Sequence, residues 1–264
     1  GRRAVMTRPT FEMIPKYASL AGATCEDIEW MDGAFPAEAF IERARGASLA
    51  AMVSPNNPTG LGIAGEDMVR VARSLPGTLV LADLAYAEFS ESDPTPMLLP
   101  LENVAIVRTF SKAWGLAGLR VGYVMAHEPV ISWLRAAAGP YSVSGVSVAI
   151  ALCALDRGES WMMENAARVR AERSRLVAWA PGAGMRAMES EANFVLVRCG
   201  TGERAMALAG GLSRAGIAVR SFAGRPGLED ALRISCPASE RSMERLLGAM
   251  ERAMVGAGTA GGVP

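Results

Sequence analysis

The chain has 264 residues, 27 of them Lys or Arg and 27 Asp or Glu, so its formal net charge is zero. That balance excludes a nucleic-acid binder working through a basic surface, because neutralising phosphates needs clustered positive charge. At 50% hydrophobic and 20% charged residues, disorder is excluded for most of the chain, and one large domain or two smaller ones can bury a core.

In the first half, short apolar runs alternate with helical spacings. Residues 48–53 (SLAAMV) read as a buried strand ending at Ser54-Pro55, and 66–74 as a helix closed by Pro76-Gly77. Residues 78–82 (TLVLA), 104–107 (VAIV) and 121–126 (VGYVMA) read as further strands. Continuous apolar strands separated by helices predict an α/β fold, with a mostly parallel sheet covered on both faces. Beyond residue 158 the pattern changes. A long helix over 159–180, ended by Pro181-Gly182, precedes strands at 193–197, 217–220 and 232–235 and a last helix over 239–254. This succession predicts a large domain over 1–158 and a small C-terminal α+β domain over 159–254. The Gly-rich stretch 255–264 (VGAGTAGGVP) reads as a flexible tail.

Residue inventories narrow the chemistry. Cys25, Cys153, Cys199 and Cys236 show no Cys-x-x-Cys spacing, and His127 is the one histidine, so no metal site is expected. No run reaches the roughly 18–20 apolar residues that span a bilayer, and Pro9 and Glu12 interrupt any signal-like stretch. The expectation is a reduced, cytoplasmic, soluble protein with neither membrane nor nucleic acid as partner. All basic residues are arginine except Lys16 and Lys112. An amine can lose its proton and form an imine, whereas a guanidinium with a pKa above about 12 cannot.

In open α/β sheets, ligands sit beyond the carboxyl ends of the strands. Three of the predicted strands end in chemically loaded loops: Ser54-Pro55-Asn56-Asn57-Pro58-Thr59-Gly60, Asp83-Leu84-Ala85-Tyr86, and Arg108-Thr109-Phe110-Ser111-Lys112 running on to Arg120. Taken singly, an Asn-Pro-Thr-Gly string is a turn and an Asp at a strand end is a helix cap. Taken together they bring an amide, a carboxylate, a phenol, an amine and an arginine to one crevice.

These residues resemble the signatures of the fold-type I pyridoxal-phosphate enzymes of the class I/II aminotransferase group. The resemblance is carried by 54–60 (SPNNPTG), 83–86 (DLAY) and 111–120 (SKAWGLAGLR), with Gly122-Tyr123, and runs from Pro9-Thr10-Phe11 to Leu232-Arg233-Ile234-Ser235. Within the group the chain is most similar to the histidinol-phosphate aminotransferases, through GIAVRSF and PGLEDALRIS in 216–235. It implies a three-layer α/β/α large domain, a homodimer with the site between domains and at the subunit interface, and pyridoxal 5'-phosphate as cofactor. Lys112 would form the imine with that cofactor and then shuttle a proton. Asp83 would pair with the pyridine nitrogen. Asn57 and Tyr86 would donate to the ring oxygen, Arg120, Thr109 and Ser111 would meet the phosphate, and Phe11 would stack on the ring. Arg233 would bind a substrate carboxylate and Arg220 a substrate phosphate.

The implied reaction moves an amino group between an amino acid such as glutamate and a keto acid or related small molecule, here imidazole-acetol phosphate. A threonine-phosphate decarboxylase-like enzyme shares the scaffold and is the alternative. Two positions depart from the pattern: Leu84 stands where many histidinol-phosphate enzymes carry Glu, and Cys236-Pro237 follows Ser235. Family members also carry several dozen residues ahead of the position of Pro9, including an arm and a Gly-rich helix start that binds phosphate. An N-terminal part is therefore expected to be missing here, which adds a further alternative, a truncated domain with weak or no activity.

Overall fold

A computed structural model describes residues 1–258 of the chain. The elements of the first half are β1 (Arg3–Arg8), α1 (Met13–Leu20), β2 (Thr24–Glu29), α2 (Ala37–Ala44), β3 (Leu49–Val53), α3 (Gly65–Ser74), β4 (Leu79–Asp83), α4 (Thr95–Leu98), β5 (Val104–Thr109) and β6 (Gly122–Ala126). Then follow α5 (Glu128–Ala137), α6 (Gly145–Arg157), α7 (Glu159–Gly182), β7 (Arg186–Ala187), β8 (Phe194–Arg198), α8 (Gly202–Arg214), β9 (Arg220–Ser221), β10 (Ala231–Ser235) and α9 (Glu240–Gly258). The chain divides into two compact units, one ending at Glu164 and the other beginning at Asn165.

The first unit is built on a six-stranded sheet in the order β2-β1-β3-β4-β5-β6. All neighbouring pairs are parallel except β5 with β6, which run antiparallel. The alternation of side chains across each strand divides the core between two faces. Val5, Met52, Val80, Ala82 and Ile106 pack on one face against Phe40 of α2 and Met68, Val71 and Ala72 of α3. Ala4, Met6 and Ala51 pack on the other, against Ala18 and Ile14 of α1. Helix α3 illustrates the local logic: Met68, Val71 and Ala72 are spaced to face the sheet, Glu66 and Asp67 occupy its first turn and Arg73 its last. The winding reverses direction between β1 and β3, since β1 leads to β2 on one side while β3 lies on the other. Such a reversal opens a crevice at the carboxyl ends of the strands.

The second unit carries a four-stranded sheet in the order β7-β8-β10-β9, antiparallel throughout. Helices α8 and α9 belong to it and approach closely enough that a Cβ on Gly211 would meet the Ala253 Cβ at 2.5 Å.

Three expectations need correction. The helix read as ending at Ala180 continues to Gly182 with Pro181 inside its last turn. Proline disturbs only the bond to the residue four earlier, and the stop falls at Gly184, whose φ of 63° lets Met185 N–H donate to the Ala180 carbonyl. The strand read over 217–220 is reduced to Arg220–Ser221. The Ile217 N–H is committed to the Leu212 carbonyl, closing α8 behind Gly216, so the chain joins the ladder only at Arg220. Finally, α9 runs through 255–258, the first residues of the stretch read as a tail. Glycine weakens a helix without breaking it, and no proline intervenes. Residues 259–264 lie outside the described residues.

Candidate active site

The three loaded loops meet at the carboxyl end of the first unit's sheet. Asp83 closes β4, in register with Val53 of β3 and Val107 of β5. The Asp83 carbonyl accepts the Ser54 N–H at 2.9 Å, so the 54–60 loop departs from beside the carboxylate. Asn56 anchors that loop from within: its Nδ2 donates to the Pro9 carbonyl at 3.0 Å and to Thr59 Oγ1 at 2.9 Å. The ends of β1 and β3 are thereby tied across the reversal point, with half-buried Asn57 next in sequence.

Asp83 is largely withdrawn from water, and among the described residues its carboxylate accepts one hydrogen bond, from Ala85 N–H at 3.1 Å. Burial pushes its carboxyl above the usual range, while the Ala85 N–H and the charge of Lys112 pull it back. Lys112 Nζ lies 5.0 Å from the centre of the Tyr86 ring. It makes no hydrogen bond or salt bridge among the described residues. Tyr86 is 7% exposed, at the head of a single 3-10 turn over Ala87–Phe89. The site thus holds an amine facing a phenol and sensing a desolvated carboxylate, and titratable groups perturbed by burial and by one another cluster where chemistry is done.

The loop carrying Lys112 is closed on itself. Phe110 N–H donates to the Val121 carbonyl, Leu116 N–H to the Phe110 carbonyl, and Gly115 N–H to the Lys112 carbonyl. Gly115 sits at a φ of 68°, and a Cβ there would also meet the Trp161 ring at 2.8 Å. Thr109 Oγ1 accepts the Ser111 N–H at 3.1 Å, which orients both hydroxyl-bearing residues at the start of the loop. Arg120 ends the loop at a φ of 56°, a left-handed conformation that costs a non-glycine residue about 1 kcal/mol or more. Its Nη1 donates to the Ala117 carbonyl at 2.9 Å, and it has no carboxylate partner among the described residues. The guanidinium keeps its capacity for an anion. Phe11 follows β1 and is 39% exposed, so it is not a core residue; its carbonyl accepts the Ile14 N–H.

Leu84, where the resemblance leads one to expect a carboxylate, is fully buried in the main core. A charge there would be desolvated without a partner, so the apolar residue fits this packing. In the second unit, Arg220 of β9 and Arg233 of β10 are direct cross-strand partners. Like charges placed opposite one another repel. The Arg233 guanidinium also lies 5.0 Å from the centre of the Phe194 ring. Two of the four thiols are suppressed as nucleophiles: burial pushes Cys199 up to about 11 and Cys236 up to about 12. Among the described residues no cluster of three or more His, Cys, Asp or Glu could hold a metal, and no helix is long and apolar enough to cross a membrane.

One group next to the site was passed over in sequence. Arg108 is 7% exposed and binds Asp93, Thr95 and Glu88. An arginine inside the apolar strand VAIVRT was the available signal, because burying a guanidinium demands partners.

A family model described as Aminotransferase class I and II matches residues 1–250. This chain belongs to that family. An aromatic amino acid aminotransferase of Streptomyces avermitilis is 36% identical over 234 residues, covering 85% of this chain and 64% of its own length. A histidinol-phosphate aminotransferase of Thermoanaerobacter pseudethanolicus is 34% identical over 239 residues, 88% of this chain and 66% of the relative. The chain spans about 64% of the length of the first of these relatives. Among solved structures, histidinol-phosphate aminotransferase from Sinorhizobium meliloti in complex with pyridoxal-5'-phosphate matches with a TM-score of 0.89 at 27% identity. The match covers 97% of this chain and 71% of that one.

Proposed function

We propose that this chain binds pyridoxal 5'-phosphate through Lys112 and transfers an amino group between histidinol phosphate and 2-oxoglutarate, acting as a cytoplasmic homodimer. The observation that carries the reading is Lys112 itself: an amine without an ion pair, 5.0 Å from the Tyr86 ring centre and within the field of a desolvated Asp83. The residues fit the cofactor because Asp83 has one hydrogen bond where a buried carboxylate needs more, and a protonated ring nitrogen supplies the missing charged donor.

When bound, the cofactor supplies an aldehyde that bonds to amines and a ring that accepts electrons from the carbon being deprotonated. Lys112 then serves twice, first as the amine that holds the cofactor and afterwards as the base that moves the substrate's Cα proton. Asp83 keeps the ring nitrogen protonated. The hydroxyl of Tyr86 and the side-chain amide of Asn57 donate to the ring oxygen. Arg120, with the hydroxyls of Thr109 and Ser111, would hold the phosphate, and Phe11 would lie against the ring.

The substrate reading is supported by the likeness to histidinol-phosphate aminotransferases and by arginines at the paired positions 220 and 233 of β9 and β10, since a guanidinium fork suits a phosphate or a carboxylate. The test is the absorption spectrum with pyridoxal phosphate, recorded beside Lys112→Ala, followed by product analysis. A visible band that survives dialysis and vanishes in the variant is expected, with amino transfer from glutamate to imidazole-acetol phosphate. No band in either protein overturns the cofactor assignment. Carbon dioxide release without amino transfer keeps the cofactor and replaces the transfer reaction with a decarboxylation.

A further inference from the structure

We infer that Arg108 is a positioning residue, which by tying Glu88 and Asp93 to β5 fixes the turn that presents Tyr86 to Lys112. Its consequence for ligand binding rests on the cofactor reading above, but its geometry does not.

Arg108 lies on β5 immediately before Thr109, and successive strand residues point to opposite faces. Its Nη1 donates to Asp93 Oδ2 at 2.7 Å and to Thr95 Oγ1 at 2.9 Å, and its Nη2 donates to Glu88 Oε1 at 2.9 Å. Both the Arg108 and the Glu88 side chains are more than nine-tenths buried. Glu88 is the middle residue of the 3-10 turn that starts from Tyr86, where Phe89 N–H donates to the Tyr86 carbonyl at 3.0 Å. The same segment is held at its other end. Leu84 N–H donates to the Val107 carbonyl at 2.9 Å and Ala85 N–H to the Asp83 carboxylate at 3.1 Å. Residues 83–90 are therefore pinned on both sides of Tyr86, while fully buried Leu84 and Phe89 fill the space beneath.

The ladder between β4 and β5 does not need this cluster, because Val80 to Asp83 already pair with Val104 to Val107. What Arg108 adds is a restraint on the connection from Tyr86 to Thr95. The restraint suits arginine: a planar fork reaches two carboxylates and a hydroxyl at once, which a lysine ammonium on a flexible stem does not reproduce. One cation serves two carboxylates here, so its removal loosens the Glu88 end of the turn as well as Asp93.

The experiment compares hydrogen exchange of the cofactor-free chain in wild type, Arg108→Met, Arg108→Lys and Glu88→Gln, and then measures pyridoxal phosphate dissociation constants in a double-mutant cycle of Arg108→Met with Tyr86→Phe. In Arg108→Met the amides of Ala87, Phe89 and Ser90 are expected to exchange about tenfold faster, while those of Val80 and Ala82 keep their rates. Arg108→Lys recovers part of the protection, and Glu88→Gln moves the same amides by less. In the cycle, each single change weakens binding about tenfold and the double variant little more than either, because a mispositioned hydroxyl has nothing further to lose. Equal acceleration in β4, or losses that multiply in the cycle, would make Arg108 a general stabiliser and overturn the inference. If Arg108→Met does not fold, Glu88→Gln carries both measurements. A wild-type chain that binds no pyridoxal phosphate refutes the cofactor reading, and the exchange pattern alone then decides the role of Arg108.

Discussion

Asp83 and Asp93 bracket one connection of the sheet and titrate in opposite directions. Burial pushes the Asp83 carboxyl up, and a single backbone N–H and the charge of Lys112 only partly restore it. Asp93 is also penalised by burial, yet hydrogen bonds from Arg108 and Thr95 outweigh that and hold it below the usual range. The difference is one of partners. Around Arg108 each carboxylate meets the guanidinium within hydrogen-bond reach, although Arg108 Nε and Glu88 Oε2 stay without a hydrogen bond among the described residues, and such pairing is how a fold keeps ionised groups inside. Around Lys112 the amine and the carboxylate are left short of partners, which costs stability and leaves capacity for a ligand. The two clusters draw on the same pair of strands, so the contrast separates architecture from chemistry within one short stretch of chain.

The sharpest way to break this comparison is Asp83→Asn. Asparagine keeps the shape but cannot hold a ring nitrogen protonated, so turnover should fall by about two to four orders of magnitude. The cofactor-free variant should nevertheless be more stable than wild type at pH 7. Because the folded-state pKa lies above the unfolded one, the contribution of Asp83 is full below about 3.9 and is lost as the pH rises through the folded value. Asparagine never ionises, so the gain should be present at neutral pH and vanish in acid. Thermal unfolding of the cofactor-free proteins at pH 7 and near pH 3.5 checks it. A variant less stable than wild type at pH 7 would mean that Asp83 is satisfied within the fold and is not waiting for a ligand.

Asp93→Asn tests the other half, with a smaller effect of opposite sign. It exchanges a charge-assisted bond for a neutral one, and Asp93 is partly exposed, so about 1 kcal/mol is lost at pH 7. For a chain of this size that lowers Tm by about 2–4 °C. The folded-state pKa here lies below the unfolded one, so the contribution of Asp93 is present above about 3.9 and is lost as the pH falls through the folded value. The deficit of the variant should therefore shrink in acid, measured by the same melts. A deficit that grows in acid would contradict the direction assigned to Asp93.

This contrast also marks what the sequence could convey. The loops after β3, β4 and β5 were legible because each is a local string at the end of a buried apolar run, and the strand read over 48–53 starts one residue from its observed limit at Leu49. Strand β1 was passed over although it lies between β2 and β3, because Arg3 and Arg8 at its ends hide an apolar run of Ala4, Val5 and Met6. The burial of Arg108 depends on Glu88 and Asp93, which lie far from it along the chain and reach it only through the sheet. The opposition of Arg220 and Arg233 is likewise a matter of register, invisible until β9 and β10 are paired. Helix α6 gives no usable period: its apolar residues surround the axis, and Val146, Ile150 and Leu152 are exposed while Ala151 is buried.

The smallest effect is expected at the other lysine, and it defines what the comparison means. Lys16, like Lys112, has no ion pair among the described residues, but it stands on the exposed side of α1. Water supplies there what protein partners supply to Arg108, so the lack of a counter-charge at Lys16 costs nothing and signals nothing. The mark of a reactive group is therefore want of an ion pair combined with a place among other titratable groups, and of the two lysines Lys112, half-buried and facing Tyr86 beside Asp83, meets both conditions. Lys16→Arg should change stability by less than about 0.5 kcal/mol and leave the visible band and the turnover where they were. Loss of the band in Lys16→Arg, checked by the same absorption spectrum, would mean that exposure does not separate the two lysines and that the amine at Lys112 has been singled out on the wrong ground.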